Sequence, residues 1–183
     1  MNKIQQVSFY FRILFQCFFY LSPIVLTLYW IFLPAQLGGH VWGGMISFIP
    51  EGMQQSILSP LSASTKLLGF LISLIPMFIS EVILYFLIKL FKHYENKEIF
   101  TLESVNYINK IGRILLIGCI LDPIHEALLS VALTWHNPPG QKILGFSFTG
   151  TSFIILMTSF LIILISWIMS EACQLKDEQQ LTI

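Results

Sequence analysis

The chain has 183 residues, of which 55% are hydrophobic and 11% charged, and its mean hydropathy is +0.76. Soluble domains carry about 25% charged residues, so this composition argues against a water-soluble globular fold. Ten Lys/Arg balance ten Asp/Glu, which removes the basic excess expected of a protein that contacts nucleic acid directly.

A helix rises about 1.5 Å per residue, so roughly 20 apolar residues cross a hydrocarbon core about 30 Å thick. Four runs meet that length. The first covers residues 13–34 and is uncharged; at 22 residues it exceeds the ~7–15 of a signal-peptide core and reads as a retained span. An outer loop, 35–66, follows. Its glycines around Trp42 and its apolar stretch from Met45 to Ile49 suit either a surface loop with a short helix or a segment that re-enters the bilayer. The second span, 67–88, contains Glu81, and a cytoplasmic loop, 89–113, separates it from the third. In that loop Thr101 is suited to cap a helix, and Glu103 stands in the first turn, where the helix dipole favours an acid. Leu102, Val105 and Ile108 mark one apolar side, so a short interfacial helix is expected before the third span. The third span, 114–135, contains Asp122, His125 and Glu126. An outer loop, 136–149, carries the turn signal Asn137-Pro138-Pro139-Gly140. The fourth span, 150–170, is uncharged and leads into a tail, 171–183.

Charge fixes the expected direction. Lys3, Arg12, Lys89, Lys92, Lys97, Lys110, Arg113 and Lys176 fall on one side, and only Lys66 and Lys142 on the other. Eight against two puts the N-terminus, middle loop and C-terminus in the cytoplasm. The expected fold is therefore all-α: one integral membrane domain forming an up-down-up-down bundle of four transmembrane helices. The expected place is the cytoplasmic (inner) membrane, with the lipid bilayer as the first partner.

The motif Glu98-Ile99-Phe100-Thr101-Leu102-Glu103-Ser104-Val105, with Ile111-Gly112 after it, and the tail Leu175-Lys176-Asp177-Glu178-Gln179-Gln180-Leu181-Thr182-Ile183 resemble the DUF2975 family of small four-span bacterial membrane proteins. The family pattern has glycine just before the first motif; here Asn96-Lys97 occupies that place. The resemblance defines no catalytic residue and no cofactor. Family members are often encoded beside a small helix-turn-helix regulator, which implies a membrane component of a regulatory pair. On that reading Phe100, Thr101, Glu103, Asp177 and Glu178 are candidate contacts for a cytoplasmic protein partner.

An ionisable group at mid-bilayer costs about 2.5–3.5 kcal/mol on insertion scales and marks a candidate site. Glu81 lies eight residues before Lys89, and Asp122 nine after Arg113. In antiparallel spans that sets both at similar depth, about 12–14 Å from the cytoplasmic edge. Asp122, His125 and Glu126 are spaced to share a helix face. Pro76 and Pro123 free the carbonyls of Ile72 and Cys119 nearby. The four groups suit hydrogen bonding between helices, or a cation, proton or metal site in a small transport protein, which would have to form a homo-oligomer to enclose a pathway. Enzymatic chemistry lacks a motif: His125-Glu126 opens a zincin pattern, but Leu129 stands where the second histidine is needed. Cys17, Cys119 and Cys173 show no metal-ligand spacing. Cys173, just past the last span, is either a plain juxtamembrane thiol or a lipidation point.

Overall fold

An apolar run that crosses hydrocarbon finds no water for its N–H and C=O groups, so its hydrogen bonds must close within the segment. In the computed structural model each of the four runs is helical: α1 (Lys3–Phe32), α2 (Ala63–Glu95), α3 (Leu102–Thr134) and α4 (Gly150–Leu181). The structure describes residues 3–33, 49, 57, 60–97, 101–146, 148 and 150–181, without the side chains of 177 and 179–181. Most of the predicted first outer loop and Phe100 lie outside the described residues. Among the described residues there is no strand, and all four helices are long and apolar enough to cross a membrane.

The helices are 30 to 33 residues long, well beyond the roughly 20 a bilayer requires. The surplus lies where hydropathy gives no signal. α2 continues to Glu95, and α3 begins at Leu102. The short interfacial helix expected before the third span is therefore not a separate element: its residues form the first turns of α3, which runs unbroken to Thr134. The predicted cap is present. The Thr101 hydroxyl accepts the Ser104 N–H at 3.2 Å, and the Val105 N–H bonds the Thr101 carbonyl at 3.1 Å. With the chain set in a helical trajectory at Thr101, nothing between Leu102 and Arg113 breaks it.

Contacts divide the chain into two units. The first comprises Met1–Tyr20, Ile79–Cys119 and Thr149–Ile183. In it Phe11 stacks on Phe91, and Phe86 lies against Tyr107. The Ser166 hydroxyl donates to the Val105 carbonyl at 3.2 Å. These contacts join the early parts of α1 and α3 to the later part of α2 and the middle of α4. Its buried residues include Ser8, Ser104, Ser159 and Ser166. Small residues allow close helix approach, which is how helices associate where lipid removes the hydrophobic driving force. Gly112 is the tightest instance: a Cβ there would stand 2.8 Å from Ile163 Cγ1.

The second unit comprises Leu21–Phe78 and Ile120–Phe148. Its core holds Leu26, Tyr29, Trp30, Leu33, Ile49, Leu61, Leu129 and Leu133. The Trp30 indole lies on Gly69, where a Cβ would meet the ring at 2.1 Å. The Lys66 ammonium caps the Leu33 carbonyl. The Asn137-Pro138-Pro139-Gly140 turn forms as expected: the Gln141 N–H bonds the Pro138 carbonyl at 3.0 Å, and Gly140 takes a positive φ of 88°. The chain then runs back beside α3, with Ser130 and Thr134 accepting the N–H groups of Gly145 (2.9 Å) and Ile143 (3.2 Å).

Elsewhere the surface is apolar. Phe78, Ile120, Leu164 and Trp167 are among many large exposed hydrophobic side chains, the distribution expected of a surface solvated by lipid.

α2 ends on a strained residue. Lys97 has φ of 68°, a left-handed conformation that costs a non-glycine residue about 1–2 kcal/mol and that glycine adopts freely after a helix. It is the only described non-glycine residue with positive φ. Lys97→Gly relieves this strain, partly offset by the greater freedom of glycine in the unfolded chain. The expected result is a gain of about 0.5–1 kcal/mol in denaturation of the detergent-solubilised protein. A loss of stability contradicts the assignment.

Candidate functional site

The ionisable groups of the apolar segments divide between the two units. Glu81, half-buried on α2, belongs to the first; Asp122, His125 and Glu126 on α3 belong to the second. Spacing places the last three within about 100° of arc on the helix, but their environments differ. Asp122 is exposed, whereas His125 and Glu126 are half-buried. His125 Nε2 is enclosed and has no hydrogen-bond partner among the described residues. Among the described residues no three or more His, Cys, Asp or Glu are grouped so as to hold a metal ion.

The prolines do not interrupt their helices: Pro76 lies within α2 and Pro123 within α3. Cys119, whose carbonyl Pro123 frees, is buried, and its thiol donates to the Ser152 carbonyl at 3.3 Å. Cys173 is also buried, at 4% exposure. An enclosed thiol offers no access to an acyl-transfer enzyme, so a plain thiol fits the structure and a lipidation point does not.

The end of the first unit that holds the α2–α3 connection carries a polar cluster that sequence reasoning missed. Arg12 Nε faces both oxygens of Glu95, at 3.1 and 3.0 Å, and Gln5 Nε2 donates to the Glu95 carbonyl at 2.9 Å. The two charged side chains are only 24% and 18% exposed. On the same two helices Phe11, Phe15 and Phe91 form a ring cluster with centroids 5.3 to 6.0 Å apart, and Arg12 stands over the Phe9 ring. Beside it, Glu103 accepts the Tyr107 hydroxyl at 2.9 Å and lies 3.5 Å from His93 Nε2. Lys110 stands over the rings of Phe86 and Tyr107. One signal was available: an arginine one residue before an uncharged span needs a partner, and an acid just past the end of the next span sits at the matching depth.

Of the candidate partner contacts, Thr101 is committed to the α3 cap. Glu103 engages Tyr107 yet keeps 60% of its side chain exposed, and Glu178 is exposed. Phe100 and the side chain of Asp177 lie outside the described residues.

An all-helical chain with four membrane-capable helices, outward-facing hydrophobic side chains and small buried residues between helices has the character of a multi-pass membrane protein. The family described as "Protein of unknown function (DUF2975)" matches residues 52–183. The chain belongs to that family. No curated protein and no solved structure matches it.

Because Arg12 and Glu95 are enclosed, removing either leaves the other poorly solvated. Arg12→Ala or Glu95→Ala is expected to cost about 1–3 kcal/mol in detergent-solubilised protein. The double variant should cost less than the two single losses added together, because the pair then fails as one. Strict additivity in that double-mutant cycle contradicts the pairing.

Proposed function

We propose that this chain is a regulatory or interaction component of the bacterial inner membrane, without catalytic activity, that engages a cytoplasmic protein. On this reading the four helices cross the bilayer up-down-up-down, with both termini and the α2–α3 connection in the cytoplasm. The distribution of Lys and Arg supports the direction. The partner most consistent with the family is a small helix-turn-helix regulator, so any link to nucleic acid is indirect.

One observation carries the proposal. The uncharged run of α4 ends near Ser170, but the helix continues to Leu181, a further stretch of about 16 Å. Along it Glu171, Gln174, Lys176 and Glu178 are exposed, and so is Leu175 at 56%. A charged helical extension with an exposed leucine is a surface that an interaction can bury, whereas a membrane anchor has no use for it. Glu103, exposed at the first turn of α3, adds an acid from the other motif.

A second reading, ion- or proton-coupled transport, draws support from His125, whose enclosed Nε2 has no hydrogen-bond partner among the described residues, with Asp122 and Glu126 nearby on α3; Glu81 on α2 is the further acid that the sequence offers. The two readings separate in one experiment. Affinity capture from native membranes with the full chain is expected to recover a soluble protein that a chain ending at Ser170 loses. Capture that is equal with and without the tail, or that recovers no soluble protein, contradicts the regulatory reading. Proteoliposome flux that Asp122→Asn abolishes and the tail truncation leaves intact establishes transport instead.

A further inference from the structure

The second unit holds a groove of about 650 Å³, a size in the range of small-molecule sites. It follows α3 from Pro123 to the helix end, with Ala127 and Val131 along that side, Leu68 of α2 opposite and Leu144 of the returning chain beside them. From Pro123 to Thr134 the helix rises about 16 Å, close to half of a hydrocarbon core about 30 Å thick. The groove therefore has the length of one leaflet. That length and the apolar side chains along it suit an extended alkyl chain.

The two ends differ chemically. At Pro123 the groove is wholly apolar. At the other end it is lined by Thr65, Trp135 and His136, with His136 Nδ1 3.2 Å from the Thr65 hydroxyl. The Lys142 ammonium stands over the Trp135 ring, 4.7 Å from its centroid. From Ala127 to Phe148 the sequence holds this lysine and this histidine and no Asp or Glu. A tryptophan with a lysine beside it is the usual furniture of the membrane–water boundary.

We propose that the groove seats one acyl chain of a phospholipid with an anionic headgroup, the phosphate lying against Lys142 and His136. The apolar slot accepts the chain, its Pro123 end falls near the leaflet midplane, and the exposed Lys142 cation at its mouth favours negative charge. The inference requires that the helices span a bilayer and is independent of what the tail binds.

The test uses the full chain in detergent, offered equal amounts of phosphatidylglycerol and phosphatidylcholine and read by native mass spectrometry. The expected result is one retained lipid per chain, with phosphatidylglycerol favoured about five-fold. Lys142→Ala, at an exposed position, brings the two lipids to parity. Val131→Trp fills the slot and removes the retained lipid, with helix content by circular dichroism confirming that it folds. Should Val131→Trp not fold, the Lys142→Ala comparison decides alone. Retention that Val131→Trp leaves unchanged overturns the proposal, as does equal retention of both lipids by the unaltered chain or recovery of detergent adducts only. Efficient disulfide cross-linking of Leu128→Cys between two chains also overturns it, by showing that a second copy covers the groove.

Discussion

Hydrocarbon cannot hydrogen-bond to a peptide group, and the rest of this structure depends on that constraint. It requires every crossing segment to satisfy its own backbone, which leaves helix as the only conformation for four isolated apolar runs. It also removes the hydrophobic driving force from helix packing, since a leucine gains little by moving from lipid to a neighbouring helix. The buried surfaces reflect this. In the first unit serines and Gly112 bring backbones together, and in the second Gly69 makes room for the Trp30 indole. Outside the core around Trp30, many large apolar side chains are turned outward.

The spans were legible because hydropathy reports directly on transfer to lipid. The helix ends were not, because hydropathy reports nothing outside the membrane. α2 and α4 run on past their apolar stretches, and α3 starts well before its own, because backbone bonding and caps decide where a helix stops. Thr101 was readable as a cap, since a hydroxyl before an acidic first turn has a local mechanism. Its consequence, a single helix from Leu102 onward in place of a short surface one, depended on the absence of any breaker as far as Arg113. Lys97 is the converse case. Its positive φ is one that glycine adopts freely after a helix, and it belongs to the turn out of α2, on which hydropathy is silent.

The candidate site was only partly legible. Spacing gave the shared arc of Asp122, His125 and Glu126, but not that Asp122 is exposed while its neighbours are half-enclosed. That difference depends on which side of α3 is covered, which no local pattern encodes. The Arg12–Glu95 pair joins residues 83 positions apart, so it emerges only once the packing of α1 against α2 in the first unit is known. The apolar groove was invisible for a related reason. It is formed by the chain returning beside α3, and that return is fixed by hydroxyl-to-backbone bonds at Ser130 and Thr134.

The proposed function and the proposed lipid seat both rest on four crossings with the α2–α3 connection and the tail on one side and the Pro138–Gln141 turn on the other. Cysteine accessibility tests that arrangement most directly. Lys97→Cys, Gln141→Cys and Gln174→Cys are placed singly in a background lacking the natural cysteines and exposed in intact cells to a maleimide that enters the periplasm but does not cross the inner membrane. The account predicts that Gln141→Cys is labelled in intact cells, and that Lys97→Cys and Gln174→Cys are labelled only after the inner membrane is permeabilised. Labelling of Lys97→Cys and Gln141→Cys from the same side would contradict it.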